Sequence, residues 1–153
     1  MNRAEMPSQN TSEPWVFAYA RRSETSKRAN SSKRDAPTGN GKWLVYVPER
    51  VVDSVWREYA AATEEGRLGS ACKCSTVMCK DDSKQPNTYV IVVYTLDRED
   101  ELLRVLRALR TELRVKQTLS YKTNAATLAN EYGQGVAKYV SPAGSLDMEL
   151  RRT

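Results

Sequence analysis

At 153 residues, 40% of them hydrophobic and 28% charged, the chain has room for one domain with a proper core and too little for two. Its 24 Lys and Arg against 19 Asp and Glu give a formal net charge of +5, which favours anionic partners, and part of that excess sits in the polar run "RRSETSKRANSSKRD". No window approaches the roughly 18 apolar residues of a membrane span and the N-terminus has no secretory apolar core, so the expectation is a soluble protein of the cytoplasm or nucleus, not of the membrane.

The aromatic and β-branched residues of "PWVFAY" predict a short strand near residues 15–19. The next stretch, "ARRSETSKRANSSKRDAPTGNG", has almost nothing to bury and reads as a flexible basic linker, either a plain tail or an arm for nucleic acid or targeting. On this reading residues 1–40 are an N-terminal segment, 41–141 the domain and 142–153 a tail. "KWLVYVP" alternates, which predicts a strand with Trp43, Val45 and Val47 on one face, ended by Pro48 because proline has no ladder donor. In "ERVVDSVWREYAAATEEG" the spacing of Val52, Val55, Trp56, Tyr59 and Ala60 marks one helical stripe, with Gly66 as the stop.

"LGSACKCSTVMC" predicts a strand, "KDDSKQPN" a turn and "TYVIVVYT" a central strand apolar on both faces, the two strands pairing as a hairpin. Alternation puts Cys72 and Cys74 on one face and Cys79 on the other, and the chain has no His, so buried thiols explain the cysteines better than a zinc set. No metal and no cofactor are expected. The lack of His also removes the commonest general base. "LDREDELLRVLRALRTELRV" opens with Asp97 in a capping position and sets Leu102, Leu103, Leu106, Leu109 and Leu113 along one face of a long helix. "KQTLSYK" predicts a short strand, "TNAATLANEYGQG" a capped short helix or turn, and a last strand falls around residues 136–140 before a frayed tail. The order is β-α-β-β-α-β: an α+β two-layer sandwich, mostly antiparallel, with two long helices on one face.

"GKWLVYV", "VWREYA", "EGRLGSACK", "VIVVYTLD" and "LSYKTN" follow one another in an order and with gaps that resemble the basophilic leukaemia-expressed protein family. The resemblance covers residues 41–135 and, through "EPWVFAYARR", residues 15–22. It implies the fold of the eukaryotic messenger-RNA cap-binding initiation factor. In that factor the strand resembling "GSACKCST" brings basic side chains to the cap triphosphate, and the strand resembling "VIVVYT" carries a Trp near the methylated base. Carried to this chain, the resemblance implies that Lys73 and Ser75 look at phosphates and that Tyr94 stands in place of the Trp. Relatives also carry a long segment where this chain has a short linker, which implies a sheet edge covered by the N-terminal strand or by a second copy in a homodimer.

The candidate ligand-binding residues are Lys42, Trp43, Arg67, Lys73, Tyr94, Tyr121 and Lys122, at strand ends, beside glycine or in mid-strand. Arg offers phosphate a planar fork and Lys a point charge; Tyr94, Tyr121 and Trp43 offer rings for stacking and fit plain packing equally well, while Trp56 belongs to the helix stripe and the core. As plain structure, the same cations are solvated charges at the sheet rim. The residues favour a binding module that holds a phosphate-bearing ligand, a nucleotide or an RNA end, on a concave sheet face. Ranked behind it are a phosphothreonine lyase-like enzyme with Lys73 or Lys122 as base, and a protein-interaction module that uses the helices and no ligand.

Overall fold

Residues 6–20, 41–80, 87–123, 139–147 and 149–150 are described by a computed structural model. Their strands are β1 (Trp15–Tyr19), β2 (Gly41–Pro48), β3 (Ala71–Ser75), β4 (Thr88–Thr95), β5 (Leu119–Thr123), β6 (Tyr139–Ser141) and β7 (Glu149–Leu150). The helices are α1 (Val52–Glu64), the single turn α2 (Val77–Lys80) and α3 (Glu99–Thr111). One seven-stranded sheet runs in the order β1-β3-β4-β2-β5-β6-β7, and each neighbouring pair is antiparallel.

Alternation sorts every strand into two faces. Trp43, Val45 and Val47 of β2, Tyr89, Ile91 and Val93 of β4, and Cys72 and Cys74 of β3 bury one face against Trp56 and Tyr59 of α1 and Leu102, Leu106 and Leu109 of α3. Both long helices therefore back the same side, as expected. A separate, smaller cluster forms on the other face from Ala71, Val92 and Tyr94, with Trp15, Tyr19, Leu44 and Val90 packed against it.

The helix ends have identifiable causes. Gly66, at φ +80°, lets the Arg67 N–H donate to Ala62 O (2.9 Å) and the Gly66 N–H to Thr63 O (3.1 Å), closing α1 with paired back-bonds. At the start of α3 the capping position falls on Arg98, one residue after the expected Asp97. The helix begins at Glu99, its flanking Arg98 makes no side-chain cap, and Glu99, Asp100 and Glu101 instead set negative charge against the exposed N–H groups of the first turn.

The N-terminal strand is paired over its whole length: β1 runs antiparallel to β3 from Trp15 opposite Ser75 to Tyr19 opposite Ala71. The residues before it are anchored as well. Ser8 donates from its backbone N–H (3.0 Å) and from its hydroxyl to the Asp53 carboxylate, and the Asn10 side-chain oxygen accepts from the N–H groups of Ser12 and Glu13. So the sheet starts before Gly41. β3 is shorter than the expected strand, because Thr76 turns away to bond Glu13 O and Pro14 O and α2 follows. At the far end, residues expected as a frayed tail supply β7, which pairs with β6. The expected helix within residues 124–138 lies outside the described residues, as does the Cys79 side chain.

Candidate functional site on the open sheet face

Register builds the site. The cross-strand pairs Tyr19–Ala71, Ala71–Tyr94, Tyr94–Lys42 and Lys42–Lys122 form one row over the face turned away from α1 and α3, and Phe17–Lys73, Lys73–Val92 and Val92–Leu44 form the next. Three lysines thus stand on one face. Lys42 and Lys122 are direct neighbours on β2 and β5, where opposed side chains lie about 5 Å apart at Cβ. Burial, and then the nearby Lys122 ammonium, hold the Lys42 pKa below its ordinary value.

Lys73 occupies a different part of the face. Its Nζ lies 3.9 Å from the centre of the Trp15 ring, 5.9 Å from that of Tyr94 and 6.0 Å from that of Phe17. An ammonium so placed is attracted to the ring faces while its stem covers apolar surface. Three strand spacings, about 14 Å, separate β3 from β5, so Lys73 and Lys122 do not meet on one phosphate group. Tyr94 lies between Lys73 and Lys42. It is only 6% exposed, with its pKa raised by burial and then by neighbouring Tyr19, so it floors the face and is no open stacking plate.

Three expected site residues are elsewhere. Trp43 and Tyr121 are both fully buried on the helix side, packed edge-to-face at 5.5 Å, with the Tyr121 hydroxyl donating to Thr95 O (2.7 Å). Each shares its strand face with core residues, Trp43 with Val45 and Tyr121 with Leu119, and this excludes them from the open side. Arg67 follows α1 and is ion-paired to Glu65 (2.8 Å) and to Glu112 (2.5 Å) after α3, in the helical layer.

Aromatic residues outside the expected ligand-binding set line the open face. Trp15, Phe17 and Tyr19 alternate along β1, with Phe17 44% exposed, and Tyr46 of β2 is exposed on the same side. The alternation of "WVFAY" was the available signal for this. The buried thiols are placed as expected: Cys72 lies 3.0 Å from the Thr63 hydroxyl, and burial pushes its pKa up to about 12 and that of Cys74 higher still. Among the described residues no group of three His, Cys, Asp or Glu is arranged to hold a metal, and no helix is long and apolar enough to cross a membrane.

Strand order and helix placement define an α+β sandwich in which an open antiparallel sheet is backed by helices on one side. The family model for basophilic leukemia-expressed protein Bles03 matches residues 19–129, and the chain belongs to that family. Among solved structures, a schistosome eIF4E complexed with m7GpppG and 4E-BP is similar at a TM-score of 0.47 and 16% identity, covering 67% of this chain and 59% of that one. The schistosome protein complexed with m7GpppA and 4E-BP matches at a TM-score of 0.48 and 16% identity, over 66% of this chain and 58% of that one. The chain thus spans less than two thirds of the length of these structures. No curated protein matches the chain.

Proposed function

We propose that the chain binds a phosphate-bearing ligand, a nucleotide or an RNA end, on the open sheet face. The observation that carries this is the Lys42–Lys122 pair: two like charges directly across neighbouring strands, on the face that also bears Lys73. Like charges directly across neighbouring strands repel, and an anion placed between them attracts both. The cytoplasm or nucleus, where such ligands are abundant, is the corresponding location. Thermal melting at low salt tests the reading. Nucleotides or short RNAs should raise the melting temperature of the wild type by mass action and fail to do so with Lys42→Ala/Lys122→Ala. No shift with any nucleotide, RNA or inorganic polyphosphate overturns it.

One observation bears on the lyase-like alternative, since a lysine base needs a depressed pKa and Lys42 has one. In place of the Lys73 or Lys122 expected from the sequence, the base in this reading is Lys42, taking the α-proton of a phosphothreonine while phosphate leaves from the β-carbon. Unchanged mass of a phosphothreonine peptide after incubation excludes it; loss of phosphoric acid, abolished in Lys42→Ala, supports it. The homodimer reading places a second copy along β1, which among the described residues pairs on one side, with β3. A sedimentation coefficient that stays at the monomer value as concentration rises rules this out.

A further inference from the structure

We infer that the ligand of this face is single-stranded nucleic acid lying across the strands, its bases stacked on the rings of β1 and its phosphates drawn to the lysines of β3, β2 and β5. The inference rests on the phosphate-binding reading above and narrows it to one substrate class.

The rings come first. Trp15, Phe17 and Tyr19 project from alternate positions of β1, about 6.8 Å apart along the strand. The Phe17 and Tyr19 rings are parallel within 6°, their centres 6.0 Å apart. Among the described residues β1 is one edge of the sheet, and edge strands ordinarily carry charge, proline or a bulge. This one presents three aromatic side chains in succession, and its most exposed ring, Phe17, lies opposite Lys73. Stacking on such rings accepts any unpaired base, because every base has a π-face.

The charge pattern supplies the second half. From β1 across to β5 the open-face positions of the described strands hold three lysines and no Asp or Glu. The lysines do not converge. Lys73 lies one row along the strands from the Lys42–Lys122 pair and about 14 Å from the strand of Lys122, a separation that one phosphate group cannot bridge and successive phosphates of a chain can. The whole platform, four strand spacings or about 19 Å from β1 to β5, suits a short single strand at the low end of the site sizes such surfaces use, about four nucleotides. A duplex hides its base faces from the rings.

Fluorescence anisotropy with labelled oligouridylates of increasing length, a matched RNA duplex and a nucleoside triphosphate tests this on the full chain. Affinity should rise with length to about four nucleotides and then level, and log K should fall with log salt at a slope near −2, as for about three neutralised phosphates. Phe17→Leu should weaken oligomer binding about tenfold while triphosphate binding stays unchanged. Lys122→Ala should reduce the salt slope by about 0.7. Melting temperatures of both variants within a few degrees of the wild type establish that they fold. Equal affinity for the triphosphate or the duplex, or no effect of Phe17→Leu, overturns the single-strand inference and leaves phosphate binding standing. Failure of every anion to bind takes both away.

Discussion

Lys42 and Lys122 show how one register pair sets both a stability cost and a chemical capacity. The folded-state pKa of Lys42 is depressed below its unfolded value of about 10.4, so between the two the unfolded chain holds more protons. The resulting penalty is fully present at neutral pH and fades as pH rises through the folded pKa. Lys122→Ala should therefore raise the Lys42 pKa and stabilise the fold by about 0.2–0.5 kcal/mol, kept small by solvent screening, as read by side-chain NMR titration and urea unfolding. An unmoved Lys42 pKa would show that Lys122 is not the cause.

Cys72 behaves in the opposite sense. Its thiol pKa is raised to about 12 from an unfolded value near 8.5, so the stabilisation it gives is complete below pH ~8.5 and is lost as pH climbs from there. Native protein at pH 8 should react with a thiol-specific disulfide reagent at Cys72 and Cys74 only as fast as it unfolds; rapid labelling without unfolding contradicts the burial.

At this scale the sequence was informative wherever alternation alone decides a face. Lys73 between two buried cysteines could only point away from the helices. Trp43 carried the same signal through Val45 and Val47, but an indole ring suits a core and a stacking site alike, so its residue type alone left the two readings close to even. Tyr121 could not be placed so easily, since "LSYKT" has only five residues and its polar Ser120 and Lys122 mark the open side weakly.

At the scale of elements, close approach and one buried cation hold strands in place. A Cβ on Gly69 would come within 1.8 Å of Tyr94 O, where nothing flexible can yield. Gly69→Ala should cost at least ~2 kcal/mol in urea unfolding by forcing β3 from β4, and a variant of unchanged stability would contradict this contact. Arg110, near the end of α3, is buried and donates to the carbonyls of Val115 (3.0 Å), Gln117 (2.6 Å), Ser141 (3.2 Å), Pro142 (2.8 Å) and Ser145 (2.8 Å), tying the approach to β5 and the end of β6 to the helix. Burial lowers its pKa, yet guanidinium stays charged. Arg110→Lys should not rescue the loss seen in Arg110→Ala, expected at ~3 kcal/mol, because one ammonium cannot satisfy a fan of separated carbonyls. Gln117 does related work at the sheet: its side chain accepts from the Tyr46 N–H (2.9 Å) and donates to Tyr46 O (2.9 Å), where β5 does not reach. None of these three was legible beforehand. Each joins residues distant in sequence, while the helix stripes and the alternation within β2, β3 and β4 depend on neighbours three, four or two positions apart and were legible, although the strand expected to run on to Cys79 ends at Ser75.

For the whole molecule, two-sidedness is the property that matters. The helical layer takes the large apolar side chains, and the other side of the same strands is left with lysines, rings and a modest apolar cluster. The layer architecture followed from element order and the family from motifs in sequence, whereas the strand order β1-β3-β4-β2-β5 depends on non-local pairing that no local pattern encodes. That order is what separates Lys73 from Lys122 and joins Lys42 to it, while burial on the helix side is what takes Trp43 and Tyr121 off this face. With a formal net charge of +5, the chain should bind anions nonspecifically at low salt, so location on the molecule is more decisive than affinity. Amide and lysine side-chain NMR shifts during titration with a short single-stranded RNA provide that location. The account predicts changes concentrated at Phe17, Lys42, Lys73 and Lys122; changes centred instead on the exposed arginines of α1 and α3, with the open face silent, would contradict it.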